Sequence, residues 1–150
     1  MFGSSGPRLI FPGLAGFYAS MAPVAYAIFR VVIGLIVFVH GWGKISAGAA
    51  GVIGFFTKVG LPAPALFAYC AMFLETVGAA CVLVGLFTRF FSAALAIEML
   101  IALLTVHLAK GFSASAGGYE YVLLIGIGMF YVAIRGGGPY SVDAKLGKEL

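Results

Sequence analysis

Apolar positions in this chain come in long runs, separated by short segments rich in glycine, proline and charge. Four runs predict four helices, from about Val24 to Lys44, from Pro62 and Pro64 to near Phe87, from about Phe90 to Ala109, and from Tyr119 to Ile134. A spanning helix needs about 20 apolar residues to cross a hydrocarbon core about 30 Å thick, so the last run lies near the lower limit. Two shorter stretches carry the spacing of helices that lie on a membrane surface. One holds Leu14, Phe17, Tyr18 and Met21 behind Pro12, and the other holds Val52, Phe55, Phe56 and Val59 within the glycine-rich segment from Ser46 to Gly60. Thr88 and Arg89 read as a tight turn, Lys110 to Gly118 as a loop, and Arg135 with the glycines and proline after it as a stop. Short connections make consecutive helices antiparallel neighbours. The expected architecture is all-α, a four-transmembrane-helix antiparallel bundle with short interfacial helices. Its parts are an N-terminal interfacial extension (residues 1–23), the bundle (24–135) and a polar C-terminal tail (136–150).

Composition supports the membrane reading. Of the 150 residues, 63% are hydrophobic and 9% charged, whereas a soluble domain carries about 25% charged residues. A normal soluble globule and a disordered chain are both excluded. The net charge of +4 is scattered, with no basic stripe of the kind that binds nucleic acid. Cys70 and Cys81 fall in one predicted helix, roughly 16 Å apart by helical rise, beyond disulfide reach, and read as packing residues. The apolar run from Leu9 to Tyr18 is broken by Pro12, Gly13 and Gly16 and preceded only by Arg8, so it reads as mature sequence, not as a cleaved leader. Arg8, Arg89, Arg135, Lys145 and Lys148 fall on one side of the predicted bundle, and Lys44, Lys58 and Lys110 on the other. The positive-inside bias then puts both termini in the cytoplasm.

The candidate chemistry lies in the ionisable residues of the apolar runs, because an intramembrane charge is costly and marks function by default. Arg30, Glu75 and Glu98 fall deep enough to form a buried polar network, and with two acids to one base, one glutamate is expected to carry a proton. The alternative for these three is an ion-paired staple that orients the helices. His40, Lys44, His107 and Glu120 lie towards the opposite surface and, with Trp42, Tyr119 and Tyr121, are expected to line a pocket there. His40, His107 and Glu120 are the candidate proton relay; Trp42, Lys44, Tyr119 and Tyr121 are the candidate binding groups. Trp42 and Tyr121 have a plainer reading as interfacial anchors. A bis-histidine haem would need His40 and His107 at one depth, and no other haem signal accompanies them. The chain lacks ligands for a zinc or iron–sulfur site, and neither a phosphate-binding glycine motif nor a serine elbow is present.

Helical phase constrains these groups. At about 100° per residue, Arg30, Gly34, Val37, Gly41 and Lys44 share one face of the first helix, with His40 about 80° away. Glu98 and His107 are on opposite sides of an ideal helix, so both face inward only if the third helix unwinds near its end; otherwise one of them faces another neighbour. Gly34, Gly41, Ala71, Ala79, Gly126 and Gly128 are expected to let helices approach closely.

The ordered set Arg30 and Gly34, His40-Gly41-Trp42-Gly43-Lys44, Gly60-Leu61-Pro62, Glu75 and Gly78, Gly85-Leu86-Phe87-Thr88-Arg89, Glu98-Met99, His107, Gly111-Phe112, Gly117-Gly118-Tyr119-Glu120, Gly138 and Ser141-Val142-Asp143 resembles the DoxX family of small bacterial and archaeal membrane proteins. The resemblance runs from Arg30 to Asp143 and implies four transmembrane helices. Some members are subunits of thiosulfate:quinone oxidoreductase, and others are linked to oxidative-stress complexes with superoxide dismutase and a sulfurtransferase. The expected function is a bacterial inner-membrane subunit of a quinone-linked redox complex, not catalytic alone. Its partners would be the lipid bilayer and redox partner subunits, with quinone as the cofactor candidate and none bound covalently. The alternatives are an accessory subunit of a larger membrane complex with no chemistry of its own, and a small proton or solute carrier.

Overall fold

The structure, a computed structural model, describes residues 8–149. Among these residues the regular elements are all helical. A short 3-10 turn (Pro12–Leu14) leads into α1 (Ala15–Ala47), followed by α2 (Ala49–Val59) and α3 (Pro64–Val84). Then come α4 (Thr88–Lys110), α5 (Glu120–Arg135) and α6 (Val142–Leu146). Three stretches, Pro12–Ala47, Pro64–Val84 and Thr88–Lys110, are long and apolar enough to cross a membrane. α5 has 16 residues, a rise of about 24 Å.

Close approaches at small residues fix the direction of each neighbour. Along α1, Gly34 meets Ala79 and Leu83 of α3, and Gly41 meets Glu75, so the two helices run antiparallel. Arg89 bonds the carbonyls of Ala133 and Ile134, while Met99 lies on Gly126, which sets α4 antiparallel to α5. Gly128 takes Ile33 and Phe29 of α1 and brings α5 back beside the first helix. Between the helices lies one apolar core of Tyr26, Ile33, Val37, Ala79, Val82, Leu95, Ile125, Met129 and Val132. Large apolar side chains also cover the outside: Ile28, Leu66, Ile97, Leu124, Phe130 and Ile134 are each about 60% exposed. An outer surface of this kind fits acyl chains.

The helical run does not break at the expected boundary after residue 23, because Pro23 sits inside α1. Its ring removes one backbone bond without ending the helix. The first seven residues of the expected N-terminal extension lie outside the described residues.

The turn between α3 and α4 is placed one step earlier than the sequence suggests. Gly85 adopts the left-handed region (φ 77) and Phe87 follows it there (φ 47), while the N–H groups of Gly85 and Leu86 close onto the Cys81 carbonyl. Thr88 and Arg89 are then the first turn of α4, not a loop. Asp143 holds them there: its Oδ1 accepts from Phe87 N at 2.8 Å, and its Oδ2 from Thr88 N at 2.9 Å and Thr88 Oγ1 at 2.6 Å. The tail therefore folds back onto the bundle. Asp143 N donates to Gly85 O, Ser141 caps α6, and Glu149 accepts from both Arg89 and Gly137 N.

Candidate functional site

Lys44 and Glu75 form an ion pair across α1 and α3. Gly41 makes it possible, since a Cβ at that position would stand 2.5 Å from the Glu75 backbone carbonyl. α1 consequently lies directly on the α3 main chain, one turn from the lysine. At the same place α3 contains a π-helical turn, Leu74–Gly78. Such a turn adds one residue and rotates the side chains near it. Glu75 itself is 4% exposed. The carboxyl of Glu98, reaching from α4, abuts that of Glu75, and Oε2 of each is buried with no hydrogen-bond partner.

These groups sit on the wall of a cavity of about 710 Å³ lined by α1, α2, α3 and α4. Its size falls in the range of small-molecule sites, roughly 300–1,000 Å³. The apolar wall includes Val52, Phe55, Phe56, Leu61, Phe67, Leu74 and Ile97; the polar groups are His40, Lys44, Glu75, Glu98, His107 and Lys110. A second π turn, Leu103–His107, settles how Glu98 and His107 both face it. Nine α-helical residues would separate them by about 180°, and one inserted residue reduces this to about 80°. Of the two arrangements the sequence allows, the one in which both residues line the cavity is the one present, with the irregular turn in the last part of α4.

His107 is held from the following loop. Its Nδ1 lies 2.7 Å from the Gly117 carbonyl. That loop is tightly closed: Tyr119 N and Glu120 N donate to the carbonyls of Gly111 and Phe112, and Gly117 is left-handed (φ 80). A Cβ at Gly118 would collide with Gly111 and Phe112.

Several expected site residues lie elsewhere. Arg30 does not join Glu75 and Glu98. It is 1% exposed and donates to the carbonyls of Val82 (2.5 Å), Leu83 (2.7 Å) and Tyr140 (2.7 Å). The antiparallel register explains the separation, since Arg30 faces the end of α3 while Glu75 faces Gly41 and Lys44. The rise from Arg30 to Lys44 alone is about 21 Å. The buried network therefore has Lys44 as its base. Glu120 is not among the cavity residues; its Oε1 accepts from Ala114 N at 2.5 Å inside the loop. Trp42 is 58% exposed and stacks on Phe38, Tyr121 is 41% exposed with its ring 6.0 Å from that of His40, and Tyr119 packs edge-on against Phe112. None of these three aromatics lines the cavity. Gly117, Ser141 and Asp143 belong to the set of residues that carries the family resemblance, but nothing in the sequence assigned them a role, because each acts through a partner distant in the chain or through its main chain.

The DoxX family model matches residues 25–108, a span that contains the cavity residues His40, Lys44, Glu75, Glu98 and His107 and stops short of the folded-back tail. A Bacillus subtilis (strain 168) protein named "Putative oxidoreductase CatD" is 38% identical over 96 residues, covering 64% of this chain and 69% of its own length. An uncharacterised protein of Haemophilus influenzae is 31% identical over 130 residues, covering 85% of this chain and 94% of its own. No solved structure matches. On the strength of the family match over more than half its length, the chain belongs to the DoxX family.

Proposed function

We propose that this protein is a multi-pass subunit of the bacterial cytoplasmic membrane whose cavity receives the ring of a quinone for a redox complex. α5 makes the fourth crossing, and both termini lie on the cytoplasmic side with Arg89, Arg135 and Lys145. The observation that carries the reading is the cavity, with apolar walls and a short series of charged and imidazole groups at its edge. A quinone ring needs an apolar slot together with hydrogen-bonding and proton-exchanging groups. His40, Lys44, Glu75, Glu98 and His107 supply such groups. Electrons would pass to or from partner subunits, so the chain is not catalytic alone. The oxidoreductase name of the Bacillus relative is in keeping with this assignment.

Gly51 gives a clean test. It lines the cavity, and a Cβ there meets nothing within 4 Å, so Gly51→Phe fills the space without forcing the backbone. In lipid nanodiscs the unmodified protein should bind a short-chain quinone saturably, and Gly51→Phe should weaken that binding at least tenfold at unchanged thermal stability. The absence of saturable binding by the unmodified protein would end the proposal.

A second reading, a structural subunit within a larger complex, is favoured by α4, where 11% of the apolar window is buried against 39% in α3. Co-purification of the same partners with Gly51→Phe and with the unmodified protein, in the absence of quinone binding, would select it.

A further inference from the structure

We infer that His107 presents an unprotonated Nε2 to the cavity as a fixed hydrogen-bond acceptor, so that the site prefers the hydroxyl-bearing, reduced form of its ring ligand over the dicarbonyl form. The inference rests on the cavity being a ring-binding site, as proposed above, and adds which form it takes and which atom selects it.

The argument begins with the Gly117 carbonyl, which can only accept. Nδ1 of His107, 2.7 Å away, must therefore carry the hydrogen. In a neutral imidazole the other nitrogen is then a lone-pair acceptor. His107 is one of the residues lining the cavity, and among the described residues only its Nδ1 has a hydrogen-bond partner. The ring cannot easily exchange roles. Its backbone is set by the π turn, and the Gly117 carbonyl is set by a loop closed through Gly111, Phe112 and Ser113. A carbonyl oxygen offered to Nε2 would place two acceptors in contact, whereas a ligand hydroxyl donates to it directly. A site that bonds a ligand O–H rejects the analogue lacking it because its own polar atom is left unpaired.

The other polar groups of the cavity do not reverse this preference. Lys44 gives one of its three N–H donors to Glu75, and the others serve either form, since a hydroxyl oxygen accepts as a carbonyl oxygen does. Glu75 and Glu98 each offer a carboxyl oxygen that is buried without a partner, and as acceptors these too favour a ligand hydroxyl. Lys110 is exposed at the rim, where water competes for its donors. His40, one turn from Lys44 on α1, lines the cavity with neither ring nitrogen fixed by a hydrogen bond among the described residues, so it adapts to either form.

Two measurements on the full chain in nanodiscs decide the matter. The first is the ¹⁵N spectrum of histidine-labelled protein at pH 8, with His40→Gln used to assign the His107 signals; it should show the Nδ1–H tautomer. The second is the affinity for a short-chain hydroquinone, under anaerobic reducing conditions, and for the quinone of the same ring. The unmodified protein should hold the hydroquinone at least tenfold more tightly, and His107→Phe should reduce the ratio to near one. His107→Gln, whose amide both donates and accepts, should give an intermediate ratio. Saturable quinone binding with an Nε2–H tautomer, or with no preference for the hydroquinone, overturns the inference and leaves the binding proposal standing. Failure of the unmodified protein to bind either form overturns both.

Discussion

At the end of the bundle where the tail folds back, Arg30 meets three carbonyls, Asp143 accepts three hydrogen bonds, and Glu149 joins Arg89 to Gly137. At the opposite end Lys44, Glu75, Glu98 and His107 line a cavity, with two carboxyl oxygens and one histidine nitrogen lacking a hydrogen-bond partner among the described residues. Both ends hold buried ionisable groups in an apolar bundle. Buried polar groups are normally satisfied, and those that are not call for an explanation. The tail end has the character of a fastening, and the cavity end has the character of a site. Neither the kind of charge nor complete hydrogen bonding distinguishes them, since Arg30 Nε is also buried without a partner; the cavity beside the second group does.

The contrast is broken most severely at Asp143. Asp143→Ala removes the cap from α4 and leaves Phe87 N, Thr88 N and Thr88 Oγ1 without their acceptor. Lost caps and open buried donors together cost about 3 kcal/mol, or roughly 10 °C in melting temperature for a chain of this size. Thermal unfolding in nanodiscs should show that loss, while the protein still folded at lower temperature binds quinone with unchanged affinity. A collapse of affinity in the folded fraction would mean that the two ends are not separate.

The comparison is sharpened at two glycines of one helix. A Cβ at Gly41 would press on the Glu75 backbone, whereas one at Gly43 meets nothing within 4 Å. Gly41→Ala should cost about 1–3 kcal/mol through overpacking and weaken quinone binding, because the displaced helix carries Lys44 away from Glu75. Gly43→Ala should keep or slightly raise the melting temperature, as alanine favours the helix by up to about 1 kcal/mol. Equal melting temperatures for the two variants would show that the close approach at Gly41 is not required.

These glycines also mark what could be read from sequence. The face shared by Arg30, Gly34, Val37 and Gly41 is buried in the structure, since a 3.6-residue period is a local property. The three long apolar helices and the short helix after Gly48 were equally legible. The partner of Arg30 was not. Counting acids against bases omits the free carbonyls at the end of a helix, which can accept from a guanidinium in place of a carboxylate. The two π turns have no periodic signature, so the inward turn of His107 could be stated only as a condition. Asp143 lies 55 residues from Thr88, and nothing near it in the chain announces the helix that it caps.

The smallest effect is expected at Glu120, which the sequence groups with His40 and His107 as a proton relay. Its Oε1 bonds Ala114 N within the loop, and the residue is absent from the cavity wall. Glutamine keeps an amide oxygen at that position, so Glu120→Gln should retain the bond, hold the unfolding free energy within about 0.5 kcal/mol of the unmodified protein, and leave quinone and hydroquinone affinities within twofold. His107→Phe should change the ratio of those affinities. If Glu120→Gln changes it to the same degree, the loop carboxylate belongs to the site, and the division between the fastening at the tail and the cavity at the other end has to be redrawn to include the Gly111–Gly118 loop.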